Sequence, residues 1–269
     1  MKKRLVSVML AAVLLAVSGC GASKDAEKDG EEQKTTIKLG VRADGIDMAE
    51  AIRDSVKEKG YDLEITTFDD SIQPNVALEE GSIDVNWYQH KPYLDSYNEE
   101  NGTDFVMIEP YTHYPLFAMY SSKYDLVEEI PDGGQIGLCN DATNQARGLK
   151  LLEDQGLIKL DESAETPTVY DIVENPKNLE FIEAEMSVLP QSYEDVDAIV
   201  VAGQHMYNAG MDADDFIAES SDGPDYSLGF VVRKEDQNAD WAKDLNEAAQ
   251  CDALSDYFEE AGGVLIPLF

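Results

Sequence analysis

Residues 37–68 of this chain read IKLGVRADGIDMAEAIRDSVKEKGYDLEITTF. Both ends of this stretch are rich in strand-forming residues, which predicts strands over 37–41 and 63–68. Apolar residues recur at helical spacing from Met48 to Lys59, and Gly60 supplies the helix stop. Strand, helix and strand in this order form a βαβ unit, and such units build parallel sheets that are covered by helices.

The same alternation continues to the end of the chain. Further strands are predicted over 105–108, 116–120, 135–139, 179–182, 198–201 and 228–232. Further helices are predicted over 75–80, 92–98, 143–155, 170–175 and 239–261, the last one broken near Cys251. In sheets of this kind ligands bind at the carboxyl ends of the strands, so binding residues are expected directly after them.

Composition limits both the size of the fold and the class of ligand. The 269 residues carry a net charge of -35, and 43% of them are hydrophobic. Binding to nucleic acid or to anionic lipid depends on clustered lysine and arginine, so this acidity argues against both partners. The length exceeds that of a usual single domain of about 100 to 200 residues, and two lobes are expected.

The amino terminus has the pattern of an export signal. Basic residues precede an apolar run over 5–17, and Val17-Ser18-Gly19-Cys20 matches a lipobox. The run is shorter than the roughly 20 residues of a membrane span. We therefore expect a signal peptide over 1–19, a lipid on Cys20 and a flexible tether over 20–34, which place the protein on the extracytoplasmic face of the cell membrane. An ordinary signal peptide with a chance cysteine is the alternative.

A first candidate site follows the strand predicted over 135–139. Asn140 and Asp141 stand where a helix begins, and Asn144 and Arg147 lie three residues apart on one face of its first turns. Free backbone N–H groups, the helix dipole and a guanidinium together suit a carboxylate. The alternative is a capped surface helix with a solvated Arg147.

A second candidate site concentrates aromatic residues at the end of another strand. Trp87, Tyr88 and His90 lie within four residues, and Tyr114 adds a further ring. Aromatic faces can enclose an apolar or sulfur-containing side chain. The alternative is that these rings pack in the core and that His90 is structural.

No pattern in the sequence indicates catalysis or a cofactor. There is no Gly-x-Ser-x-Gly elbow and no Walker loop, and the three histidines lack metal-ligand spacing. We expect no enzyme activity, no cofactor and no metal site. Cys139 and Cys251 are expected to be buried free thiols, although one disulfide is left open.

Five segments resemble, in the right order, the methionine-binding lipoproteins of the NlpA type, which are the substrate-binding components of ATP-driven methionine importers. These segments are 73–78, 84–94, 140–147, 171–179 and 266–269. The resemblance implies an α/β fold of the two-lobed periplasmic-binding-protein type II, in which each lobe is a helix-covered mixed sheet and the ligand lies in the cleft. The first lobe would take 35–120 plus 225–269, and the second lobe 121–224.

The resemblance also assigns roles to residues. It implies that Arg147 holds the ligand carboxylate with help from Asn140 and Asn144. The pocket for the ligand side chain would be lined by Tyr88, His90 and Tyr114, and Trp87 would lie beside them. It further implies a monomer that captures a free amino acid and delivers it to an ABC permease and its ATPase. L-methionine is the leading candidate for this amino acid.

Two departures from the family pattern bear on the ligand. Ala202-Gly203-Gln204 replaces the usual Asn-Gly-Asn, so the amide expected at the ligand ammonium, that of Gln204, is one methylene longer. The segment 42–47 also brings charge close to the cleft. A different amino acid or a short peptide therefore stays open as the ligand, and a secreted enzyme or a surface adhesin are the rival functions.

Overall fold

Two five-stranded sheets organise the part of the chain that the structure, a computed structural model, describes, namely residues 34–269. The first sheet contains, in spatial order, β2 (Asp62–Phe68), β1 (Thr36–Arg42), β3 (Val85–Asn86), β13 (Val231–Val232) and β4 (Val106–Met107). The second contains β10 (Glu180–Ala184), β7 (Gln135–Cys139), β11 (Ala198–Ala202), β6 (Phe117–Tyr120) and β12 (Phe216–Glu219). Two short ladders pair β5 (His113–Pro115) with β14 (Leu265–Pro267) and β8 (Lys159–Leu160) with β9 (Ile172–Glu174).

Both sheets have the same layout. The first three strands in spatial order are parallel, and the fourth runs antiparallel to both of its neighbours. In the first sheet this antiparallel strand is β13, which returns from late in the chain, and in the second it is β6. Each sheet therefore contains one antiparallel strand that is distant in sequence from both of its neighbours, and this arrangement confirms the predicted two-lobed α/β fold of type II.

One lobe boundary differs from the expectation. The predicted first lobe extends to residue 120, whereas β6 hydrogen-bonds to β11 and β12 in the second sheet. All four residues of β6 are buried, so their backbone groups need partners, and the second sheet supplies them on both sides. The chain therefore enters the second sheet at Phe117 rather than after Tyr120.

Five of the six helices predicted from the sequence are present, and the helix that follows β11 was not predicted. The observed helices are α1 (Ile46–Ala51), α2 (Arg53–Glu58), α3 (Gln73–Glu79), α4 (Lys91–Asn101), α5 (Ala142–Asp154), α6 (Gly203–Asn208), α7 (Asp240–Ala248) and α8 (Asp252–Glu260). The helix predicted over 48–59 is divided in two at Ile52. The predicted break near Cys251 is confirmed, because α7 ends before it and α8 begins after it.

The helix predicted over 170–175 is wrong. A short 3-10 turn occupies Val169–Asp171, and the chain then forms β9 against β8. Ile172 and Val173 are branched at Cβ and favour a strand, and Pro176 disfavours a helical conformation at the residue before it. The side chain of Tyr170 is 92% exposed, so no apolar face holds a helix there.

The core lies on the faces of the two sheets. All five residues of β11 are buried, because helices and loops cover the second sheet on both faces. Burial of a side chain such as Ile199 contributes about 1.5 to 3 kcal/mol. The strand β11, which ends at the site, is thus held in a buried part of the second sheet.

The cysteines and the amino terminus complete the comparison with the predictions. Cys139 and Cys251 are free thiols, but only Cys139 is buried, because Cys251 stands partly exposed between α7 and α8. Within residues 34–269, every helix falls short of the length and apolar content that a membrane crossing requires. The predicted signal peptide, Cys20 and the tether up to residue 33 lie outside the described residues.

Candidate functional site

A cavity lies where the carboxyl ends of the parallel strands of both sheets meet. Its wall from the first sheet includes Arg42, the last residue of β1, and residues 87–90, which follow β3. Its wall from the second sheet includes residues that follow β7, β10 and β11. The edge predicted from the strand order therefore carries the cavity, because parallel strands deliver their carboxyl ends to one side.

Arg147 is the most deeply buried charged side chain of this cavity. It lies in the second turn of α5 and is 1% exposed. Its Nε and Nη2 donate hydrogen bonds of 3.0 and 2.7 Å to Oδ1 of Asp222. Among the described residues, no acceptor meets its Nη1. The surface-helix alternative for Arg147 is therefore excluded, and part of its donor set is available to a ligand.

Two aromatic rings enclose the guanidinium of Arg147. Its Cζ lies 4.2 Å from the ring centre of Phe117 and 3.9 Å from that of Tyr226. Burial lowers the pKa of Arg147, and the hydrogen bond to Asp222 opposes that change. The guanidinium keeps its charge because its ordinary pKa is above 12. A fixed cation thus stands at one end of the cavity.

A chain of hydrogen bonds joins the two sheet ends through His90. The Nδ1 of His90 accepts from the backbone N–H of Tyr93 at 3.1 Å and caps α4. Its Nε2 therefore carries the proton and donates to Oδ1 of Asn144 at 3.0 Å. The Nδ2 of Asn144 donates in turn to Oδ2 of Asp141 at 2.9 Å. Burial lowers the pKa of His90 to about 4, so the imidazole is neutral near pH 7.

Aromatic side chains form the first-sheet wall. Trp87 is fully buried against Phe230, with ring centres 4.7 Å apart, and its Nε1 donates to Oγ1 of Thr112 at 3.1 Å. The hydroxyls of Tyr88 and Tyr93 both donate to the backbone oxygen of Ser71, at 2.8 and 2.9 Å. Because these hydroxyls are already engaged, the rings present mainly apolar surface. Such a wall suits an apolar or sulfur-containing side chain.

Charged residues cross the cavity between the two sheet ends. The Nδ1 of His205, on α6, lies 3.1 Å from Oδ2 of Asp44, which follows β1. The Nη1 of Arg42 lies 3.6 Å from Oε2 of Glu185, which follows β10. The segment 42–47 singled out in the sequence thus contributes directly to the cavity wall. We refer to Arg42, Asp44, Glu185 and His205 as the cross-cleft cluster.

Six of the eight predicted ligand-binding residues line this one cavity, namely Trp87, Tyr88, His90, Asn144, Arg147 and Gln204. The other two do not. Tyr114 points away along β5 and packs against Gly223, where an added Cβ would come within 2.5 Å of the ring, while Pro115 takes the cavity side. Asn140 is exposed, and its backbone N–H donates to the oxygen of Ala184 at 2.9 Å. Their predicted contact with a ligand finds no support in this geometry.

The sequence reasoning missed the partner of Arg147. Asp222 lies in the loop between β12 and β13, 75 positions away in sequence, and no local motif marks it among the many acidic residues. Tyr93 and Met186 also line the cavity, and Tyr93 stands inside a segment that had been quoted for the family resemblance.

Within residues 34–269, no cluster of three or more His, Cys, Asp or Glu side chains could hold a metal ion.

Comparison with known families decides the affiliation of the chain. The model of the family described as NlpA lipoprotein matches residues 37–268. The chain belongs to the NlpA lipoprotein family. One family member, the D-methionine-binding lipoprotein MetQ of Salmonella typhi, is 37% identical over 246 residues, which cover 89% of this chain and 88% of that protein. The probable D-methionine-binding lipoprotein MetQ of Vibrio cholerae is 36% identical over 94% of this chain and 93% of its own length.

Solved structures agree with this affiliation to the NlpA lipoproteins. A nutrient-binding protein from Burkholderia cenocepacia bound to methionine has a TM-score of 0.82 and 33% identity, covering 87% of this chain and 100% of that one. The substrate-binding protein of a methionine transporter from Streptococcus pneumoniae has a TM-score of 0.80 and 34% identity, covering 87% and 96%. The family resemblance predicted from the five sequence segments is thus confirmed.

Proposed function

We propose that this chain is a lipid-anchored, extracytoplasmic binding protein that captures free methionine and delivers it to an ABC importer. One observation carries the proposal: a buried guanidinium, that of Arg147, faces a cavity whose opposite wall is aromatic and apolar. A methionine zwitterion has the matching groups, a carboxylate at one end and a thioether at the other. The names of the relatives and of the similar structures support this choice of ligand.

In this proposal binding and closure are one event. Arg147 and Asn144 come from the second sheet, whereas Tyr88 and His90 come from the first. A ligand that touches both sides favours the closed form over the open one, and the permease distinguishes the two. The protein binds and releases its ligand unchanged, so no catalytic step is involved.

The same transport role is also compatible with a second class of ligand. The cross-cleft cluster brings charge into the cavity, and the Gln204 amide meets no hydrogen-bond partner among residues 34–269. These groups favour a ligand with an additional polar group, such as another amino acid or a short peptide.

Isothermal titration calorimetry of the purified mature chain tests the proposal. L-methionine and D-methionine are titrated separately, beside a panel of other amino acids and methionyl dipeptides. Saturable binding of either methionine enantiomer with a negative heat-capacity change is the expected result, because apolar surface is buried. If neither enantiomer binds while another amino acid does, the second ligand class replaces the first. Turnover of the bound compound would instead establish an enzyme.

A further inference from the structure

The guanidinium of Arg147 already has a carboxylate partner inside the protein. Oδ1 of Asp222 accepts from its Nε at 3.0 Å and from its Nη2 at 2.7 Å. The hydroxyl of Ser220 donates to the same oxygen at 2.6 Å. Asp222 therefore occupies one complete edge of the guanidinium.

A guanidinium has a second edge, formed by its two terminal nitrogens. Its five N–H donors lie in one fixed plane, so the donors that Asp222 leaves free point away from Asp222. Arg147 lines the cavity, whereas Asp222 does not. A ligand carboxylate in the cavity would therefore bind this second edge, and two carboxylates would then share one cation.

Aromatic packing already holds the plane of the guanidinium. Phe117 and Tyr226 lie on it at 4.2 and 3.9 Å from Cζ. The orientation of Arg147 thus has a source other than Asp222. What Asp222 adds is negative charge beside a cation that is 1% exposed, and without it the empty site would hold an uncompensated buried charge.

We propose that Asp222 is a specificity-determining residue of the site: it balances the charge of Arg147 when the cavity is empty and weakens the preference for a ligand carboxylate when the cavity is filled. The inference rests on the proposed function, since it assumes an amino-acid ligand at Arg147. Two carboxylates on one guanidinium repel each other, and each lowers the gain available to the other. Loss of the Asp222 charge should therefore strengthen selection for a carboxylate while destabilising the empty protein.

The test compares L-methionine with L-methioninamide, which has the same shape but no carboxylate. Calorimetry gives the affinity ratio of the two compounds for the wild type, for Asp222→Asn and for Asp225→Asn. Asp225 is exposed and makes no hydrogen bond to Arg147, so its variant is a matched control for the loss of one charge. We expect the ratio to rise about tenfold in Asp222→Asn and to stay within about twofold of the wild type in Asp225→Asn. The melting temperature of unliganded Asp222→Asn should fall.

An unchanged ratio in Asp222→Asn overturns the inference. A lower ratio also overturns it, because Asp222 would then aim the guanidinium rather than compete for it. If Asp222→Asn fails to fold, Asp222→Ser provides the same comparison with a smaller neutral side chain. Failure of the proposed function is distinguishable: the wild type would then bind another amino acid instead, and the comparison is made with that acid and its amide.

Discussion

At Arg147 the environment of the side chain determines what it can do. The residue stands on a helix that a sequence could equally place at the surface, yet it is 1% exposed and held between two rings. The donors that Asp222 leaves free lie on Nη1 and Nη2, and a charge-assisted hydrogen bond from one of them contributes about 1.5 to 3 kcal/mol. One residue therefore accounts for a large share of the expected affinity.

Arg147→Ala should weaken binding of methionine at least tenfold, the equivalent of about 1.4 kcal/mol. Arg147→Lys should not restore it, because an ammonium cannot serve Asp222 and a ligand carboxylate on two edges of one plane. Calorimetry measures both variants, and circular dichroism verifies their folding. Arg53→Ala is the control, since Arg53 lies outside the cavity and pairs with the exposed Glu50. If Arg147→Ala binds methionine with wild-type affinity, Arg147 does not contribute to ligand binding.

His113 makes the stability of the protein depend on pH. It is fully buried, and burial lowers its pKa to about 3 from an ordinary value near 6.5. Between pH 6.5 and pH 3, His113 is protonated in the unfolded chain but neutral in the folded protein. The free energy of unfolding therefore falls as the pH drops from about 6.5 towards 3. His90, with a pKa of about 4, acts in the same direction.

Between pH 7.5 and pH 5.5, His113 should cost about 1 kcal/mol of unfolding free energy. Urea denaturation at the two pH values measures the loss. In His113→Gln the same pH change should cost about 1 kcal/mol less than in the wild type, whatever the stability of the variant at pH 7.5. Equal losses in the two proteins would mean that His113 is protonated in the folded state.

The helix α5 connects strand β7 to the site. Asp141 caps it, accepting from the backbone N–H of Asn144 at 2.9 Å, and also receives the Asn144 amide and the Thr143 hydroxyl. This element was predicted almost to the residue, because the strand, the cap and the helical spacing are all local signals. The first residue of α5 and the orientation of the helix about its axis then place Asn144 and Arg147 on the side that faces the cavity.

Asp141→Ala should lower the free energy of unfolding by about 0.5 to 2 kcal/mol, because it removes the cap of α5. It should also weaken ligand binding, since Asn144 loses the partner of its Nδ2. Asp154→Ala is the matched control: the same substitution at the exposed, carboxyl-terminal end of the same helix should leave stability unchanged or slightly raised, because an acid is unfavourable there. Urea denaturation compares the two variants, and equal effects would show that capping is not the cause.

At the scale of the whole molecule, the described form is closed across the cleft. His90 meets Asn144, His205 meets Asp44, and the amide of Asn208 donates to the backbone oxygen of Asp44 at 3.2 Å. In each case one partner belongs to an element of the first sheet and the other to an element of the second. Because these contacts bridge the two sheets, they contribute to the balance between open and closed forms on which a ligand acts.

Asp44→Asn should shift that balance towards the open form, because it removes the charge that faces His205. The radius of gyration of the unliganded protein, measured by small-angle X-ray scattering, should rise, and the affinity for methionine should fall about threefold. Asp47→Asn serves as the control, since Asp47 is exposed on α1. An unchanged radius and affinity in Asp44→Asn would show that this contact has no part in closure.

Local patterns were sufficient for most strands and helices, chain length indicated two lobes, and local spacing singled out Arg147, which lines the cavity. The helix predicted over 170–175 failed because the pairing of β9 with β8 outweighs helical spacing in a segment without an apolar face. The strand β6 was assigned to the wrong lobe, because only hydrogen bonding between distant segments reveals which sheet it joins. Contacts of this kind leave no trace in the spacing of neighbouring residues.

Local patterns implied an exported α/β protein with an arginine near the start of a helix that follows a strand, and the family resemblance implied a binding protein with this helix in its second lobe. The folded chain alone brings Asp222 to Arg147 across 75 positions and turns Tyr114 and Asn140 out of the cavity. The reason is physical: helix and strand formation depend on interactions over a few residues, whereas charge compensation and the shape of a cavity depend on which distant surfaces pack together.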